Sequence, residues 1–189
     1  MMSTRILILI SCIFLWGCSR SEQTNPFNFG KNKVGKLTPQ TSISAIDSLY
    51  KTDSIVNRNH TNALLSNTNE IEIYDSSGKK LLIIEPSTDD TNSAMIKSIQ
   101  IIDPRYTTEE GISINSTFKD VREAFPISKI NNTLSTAVVF VDSLNAYITI
   151  DKKFLPNNYK NNADIKIEAN VIPDSATIKH FWIQWNPVK

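Results

Sequence analysis

Gly111-Ile-Ser-Ile-Asn-Ser-Thr117-Phe-Lys-Asp-Val-Arg-Glu-Ala-Phe125 can be laid over Gly35-Lys-Leu-Thr-Pro-Gln-Thr-Ser42-Ile-Ser-Ala-Ile-Asp-Ser-Leu-Tyr50 with one extra residue in the first loop. Ser42 then matches Thr117. Beyond it, Ile43, Ile46, Tyr50 and Ile55 fall on Phe118, Val121, Phe125 and Ile130 without a further gap. Both stretches carry a glycine turn, a hydroxyl residue able to cap free backbone N–H groups, and apolar residues at i, i+3 and i+7. That spacing makes one face of a short amphipathic helix. Thr117 and Asp120 also have the spacing of a capping box, with Asp in the place usually held by Glu or Gln.

Three β-like runs follow each helix. They are Glu70–Asp75, Leu81–Glu85 and Ile96–Ile102 in the first half, and Ala137–Asp142, Ala146–Asp151 and Ile178–Trp185 in the second. They are rich in β-branched and aromatic residues, and turn formers such as Asp75–Gly78 and Asp142–Asn145 divide them. The last runs also overlay, with Ser93–Lys97 on Ser175–Lys179 and Ile99-Gln-Ile101 on Ile183-Gln-Trp185. The expected fold class is therefore α+β: two tandem repeats, each a short helix followed by a three-stranded antiparallel meander, packed into one body. Repeat 1 spans 35–104. A linker and repeat 2 span 105–189, with an insert at 154–173 in which Ile165–Val171 alternates like a short strand. One helix on three strands has a small core, so the halves are expected to share one.

Composition agrees with a globular chain. Of 189 residues, 40% are hydrophobic and 21% charged, which excludes a collagen, a disordered charged tail and a polytopic membrane protein. Lys+Arg (20) nearly balance Asp+Glu (19), so no field over the whole chain would draw it to nucleic acid.

The N-terminus supplies an address. Arg5, an apolar run from Ile6 to Trp16 broken by Ser11, and Gly17-Cys18 have the three parts of a secretory signal, and the run is too short for a spanning helix. Leu15-Trp16-Gly17-Cys18 resembles the bacterial lipobox, in which the cysteine is acylated and the chain is cut just before it. Leu9-Ile10-Ser11-Cys12 competes, but it leaves only about five apolar residues as the signal core. Residues 1–17 are thus expected to be a lipoprotein signal peptide and Cys18 the lipidation site; removing 17 of 189 residues leaves 172. Residues 18–34 lack periodicity and are expected to be a tether. Ser19 is not the Asp that holds many such lipoproteins at the inner membrane, so the expected location is the outer membrane, anchored by the lipid on Cys18 and facing the periplasm.

Gly111-Ile-Ser-Ile-Asn-Ser-Thr117 with Asp120-Val121 and Phe125-Pro126 resembles the opening motif of the β-lactamase inhibitory protein fold. The small SmpA/OmlA-type lipoprotein of the outer-membrane β-barrel assembly machinery shares that fold. The lipobox and Thr108-Glu-Glu-Gly-Ile112 are also similar to bacterial lipoproteins of uncharacterised function with this opening. The resemblance implies a helix packed on an antiparallel sheet and tandem units. It carries over no contact residues.

The chain offers little for catalysis. His60, expected in a polar loop at Arg58–Asn62, and His180, in a strand beside Lys179, belong to no metal-ligand pattern, there is no G-x-S-x-G or P-loop, and five glycines leave few phosphate-cradling loops. No cofactor and no metal are expected, and the chain is read as a non-enzyme. Strand parity offers a sharper expectation. If Phe181, Ile183 and Trp185 face the core with Ile148 and Ile150, then His180, Trp182 and Gln184 face outward with Tyr147 and Thr149. Tyr147 and Trp182 then either form an aromatic patch of the kind that protein interfaces favour or pack between the repeats or under the 154–173 insert, since large apolar patches are rarely left exposed. The expected function is a non-catalytic binding or structural module that engages another envelope protein and no nucleic acid. The alternative is a small-ligand carrier or hydrolase on the same scaffold, using Glu109, Glu110 or His180.

Overall fold

The computed structural model describes residues 25–62, 65–87, 94–160 and 162–185. A short hairpin of β1 (Phe29–Gly30) and β2 (Lys33–Val34) comes first, then a 3-10 turn at Ile43–Ala45 that runs into helix α1 (Ile46–Leu49). Strands β3 (Ser54–Asn62), β4 (Leu65–Tyr74), β5 (Lys80–Pro86) and β6 (Ile96–Ile101) form a meander. Helix α2 (Phe118–Ala124) precedes β7 (Lys129–Asn132), β8 (Thr136–Val141) and β9 (Ala146–Asp151). Helix α3 (Asn157–Lys160) follows, and β10 (Ile178–Gln184) ends the sheet.

These strands correct the expected fold class. The protein is mostly β: a two-stranded sheet and one continuous eight-stranded antiparallel sheet in the order β3-β4-β5-β6-β10-β9-β8-β7, with only short helices. It is not α+β with two helix-plus-three-strand repeats. Two strands of the eight-stranded sheet, β3 and β7, have no counterpart among the expected runs. Ser54–Asn62 is mostly polar, including the Arg58–Asn62 stretch expected as a loop around His60, and Lys129–Asn132 is too short to show a period. Both are edge strands, where half the backbone bonds to one neighbour and solvent takes the rest. The halves do not close separately, because β6 and β10 pair directly, with Ile99 opposite Ile183 and Gln100 opposite Trp182.

Alternation sorts the residues. Ile71 and Ile73, Leu82 and Ile84, Ile99 and Ile101, Ile148 and Ile150, and Phe181 and Ile183 are buried at every second position and join one core. The helices close over this face, where α1 buries Ile46 and α2 buries Phe118 and Val121. A fully buried side chain of this kind contributes about 1.5–3 kcal/mol. Such a sheet can leave its second face to water.

Helix α2 is fixed at both ends by local chemistry. Thr117 Oγ1 accepts from the Asp120 N–H at 3.3 Å, and Asp120 Oδ2 accepts from the Thr117 N–H at 2.7 Å, which completes the capping box. It stops at Phe125, whose extended backbone (φ −138°, ψ 143°) is what a residue before proline prefers, and Pro126 follows. Backbone bonds dock both helical segments to the stretches leading into β6 and β10: Ile43 N–H donates to Ala94 C=O at 3.0 Å and Phe118 N–H to Ala176 C=O at 2.8 Å. Ser42, matched to Thr117 in sequence, makes no side-chain cap.

Part of the expected tether is built into the body. Phe29 and Val34 are buried, and the Phe29 ring meets Phe181 edge-on at 5.1 Å. Phe27 packs edge-on against Tyr106 at 5.1 Å. Aromatics in a polar stretch carry no periodicity, yet they find the open end of the core. In the 154–173 insert, Leu155, Ile167 and Ile172 are buried in the core, and Ala169–Val171 is a 3-10 turn where the alternation suggested a strand.

Candidate functional site

One transverse row of side chains crosses the face of the sheet opposite the helices. Following the register from β3 to β7, it reads Val56, Glu72, Ile83, Gln100, Trp182, Tyr147, Phe140 and Lys129. Each alternates with a core residue on its own strand. Val139 and Val141 flank Phe140 with no exposure, and Phe181 and Ile183 flank Trp182 with at most 1%.

The two residues singled out in sequence meet there. Tyr147 and Trp182 are direct cross-strand partners, with ring centroids 6.0 Å apart and planes within 12° of parallel. Phe140 extends the row, 5.9 Å from Tyr147, and the Lys129 ammonium stands 6.0 Å from the Phe140 ring centre. All three rings are half-buried. Burial, with the negative field of Glu85, pushes the Tyr147 hydroxyl up to about 12, so it is a neutral hydrogen-bonding group at physiological pH. Phe140 escaped the sequence reading because Ala137-Val-Val-Phe-Val141 is apolar on both faces and shows no alternation. The pairing to Tyr147 is what places it.

Polar groups rim the rings. Ser98 on β6 donates its hydroxyl to Glu85 Oε2 on β5 at 2.5 Å. His180 Nδ1 lies 3.0 Å from the Thr149 hydroxyl, and burial, with Lys179 nearby, lowers the imidazole's affinity for a proton. Toward β3 the same face holds a carboxylate cluster: Glu72 accepts from Arg58 Nε at 2.9 Å, the Tyr74 hydroxyl at 2.6 Å and the Lys80 ammonium. Burial alone would raise Glu72, but the hydrogen bonds from Lys80, Tyr74 and Arg58 outweigh it and hold the carboxyl at about 2. A hydrophobic and aromatic centre with a satisfied polar rim has the anatomy of a protein-binding surface.

The other named residues do not converge. Glu109 and Glu110 are exposed and border an open depression of about 320 Å³ beside the β1–β2 turn, and Glu110 also borders a second one of about 470 Å³. His180 lines neither. His60 falls within β3, and Cys18 lies outside the described residues. Trp185 packs against the core with its indole N–H donated to Lys31 C=O at 2.9 Å. Among the described residues no three His, Cys, Asp or Glu side chains group as a metal site would require. Among those residues, also, no helix is long and apolar enough to cross a membrane.

No family model and no curated protein matches this chain. Among solved structures it is similar to the crystal structure of the uncharacterized protein yfeY from Escherichia coli, at 12% identity over 83% of this chain and 99% of that one, with a TM-score of 0.55. At that identity the similarity is one of fold alone.

Proposed function

We propose that this chain is a lipid-anchored envelope protein that binds another envelope protein through the open face of its sheet, and that it carries out no chemistry itself. The observation that supports this most is the Phe140–Tyr147–Trp182 row on the face opposite the core. Aromatic side chains with few rotatable bonds are the residues most often found as binding hot spots, and here the sheet backbone holds them in register. The polar rim of Glu85, Ser98 and Gln100 would set orientation. The lipobox at Cys18 supports the anchor, and the near balance of charge speaks against nucleic acid as a partner.

The test is site-specific photo-crosslinking in intact cells, with the crosslinking residue at Val138, which shares the open face on β8. A discrete adduct from Val138, absent when the probe sits at Lys119 on α2, supports the reading. Equal adducts from both positions reject it.

A further inference from the structure

Strand β7 ends the sheet, and its outer edge pairs with no strand among the described residues. The hydrogen-bond phase of that edge follows from the turn before β8. Thr133 N–H donates to Thr136 C=O at 3.0 Å, and the register then sets Asn131 opposite Val138 and Lys129 opposite Phe140. In an antiparallel pair, alternate residues turn their backbone groups toward the partner. Lys129 and Asn131 therefore bond β8, while Ile130 and Asn132 present their N–H and C=O groups outward. The next ladder has the complementary phase: Lys152 N–H donates to Ser135 C=O at 3.1 Å, which turns Ala137 and Val139 toward β9 and leaves Val138 and Phe140 for β7.

Beside this edge runs the insert. Its exposure alternates like a strand, from Ile165 half-buried and Lys166 exposed to Ile167 buried, Glu168 exposed and Ala169 half-buried. Yet it pairs with no strand among the described residues. The Asn132 side-chain amide pins it at one end, donating to Asn162 C=O at 2.9 Å and Ile165 C=O at 2.7 Å. Between the two lies a groove of about 450 Å³, with Ile127, Ile130, Ile167 and Ala169 in its lining and Lys129 and Lys166 at its rim. That volume is in the range of ligand clefts, about 300–1,000 Å³. Lys166 is neutralised by Glu168 at 2.6 Å, whereas Lys129 has no carboxylate partner among the described residues. A short strand with a lysine is one way to blunt an edge. A second wall set back from that edge by a groove is not needed for blunting.

We propose that this groove takes an extended segment of another polypeptide. The segment adds a ninth strand by bonding the Ile130 and Asn132 backbone, seats alternate apolar side chains against Ile127, Ile130 and Ile167, and places a carboxylate beside Lys129. The site shares Lys129 with the end of the aromatic row, but its backbone ladder involves neither Tyr147 nor Trp182 and is tested without them.

Selection of a random dodecapeptide phage library on the purified full-length chain tests this. Enriched peptides should alternate apolar and polar residues with an acidic residue at one end. Methylating the backbone nitrogens of alternate residues in such a peptide should weaken binding at least tenfold in one phase and little in the other, with the protein unchanged. Ile130→Pro removes an outward N–H without touching the β8 ladder and should weaken binding by a similar factor. Tyr147→Ala/Trp182→Ala should leave it intact. No enrichment, or binding indifferent to methylation in both phases, overturns the proposal. So does a self-associated chain in sedimentation that Ile130→Pro converts to monomer, since the occupant is then a second copy.

Discussion

Tyr147 on β9 and Trp182 on β10 face each other across the sheet, with near-parallel rings 6.0 Å apart and strands whose opposite faces are sealed in the core. The sheet holds both rings in place before any partner arrives. Little side-chain entropy is then left to lose on binding.

That pairing has a measurable worth in the protein alone. A double-mutant cycle with Tyr147→Ala and Trp182→Ala, followed by urea unfolding, should return a coupling of about 0.5–1.5 kcal/mol. Additive losses would mean that the rings do not act as a pair.

Glu72 should make stability depend on acid. Its folded pKa of about 2 lies below the unfolded value near 4.5, so its contribution is fully present above about pH 5 and is lost progressively as the pH falls toward 2. With Arg58 half exposed to solvent, the contribution is about 2 kcal/mol. Thermal melts from pH 7 to 2 should show a smaller fall in Glu72→Gln than in the wild type, and parallel curves would refute the assignment.

The α2 cap should matter more than the length of the helix suggests. Thr117→Ala removes the acceptor for the Asp120 N–H and should cost about 1 kcal/mol in chemical denaturation. Ser42→Ala, at the matched position with no cap bond, should cost much less.

Gly35 is held at φ +57°, and a Cβ there would lie 2.8 Å from the Pro26 carbonyl oxygen and 3.1 Å from Tyr106 Cε1. Gly35→Ala should therefore destabilise by about 1–3 kcal/mol. Gly78→Ala, at φ +80° with open space around it, should cost less, which a comparison of melting midpoints will show.

Membrane attachment is tested by metabolic labelling with a palmitate analogue. The label should be lost in Cys18→Ser and retained in Cys12→Ser, and the reverse would move the processing site.

The legible parts of the sequence were those where local chemistry and burial agree. Thr117 and Asp120 announced their capping box, and the apolar runs of β4, β5, β6, β8, β9 and β10 stood out from their turns. The edges were not legible. A strand such as Ser54–Asn62 needs only one hydrogen-bonded neighbour, and over 54–58 no residue is buried, so the stretch looks like a loop. The expectation of two units failed at the centre of the sheet, where β6 and β10 pair across a long stretch of chain that no local pattern encodes. Tyr147 and Trp182 could be assigned a face because polar neighbours mark the alternation, whereas the β7 groove depends on the 154–173 insert lying beside Ile130, a contact no local pattern encodes.

Photo-crosslinking from Val138 in cells with and without Tyr147→Ala/Trp182→Ala asks most directly whether the proposed aromatic face binds a partner. The expected result is a discrete adduct that falls at least tenfold in the double variant, at equal protein level and with a cooperative melt retained. An undiminished adduct in the double variant would contradict the claim.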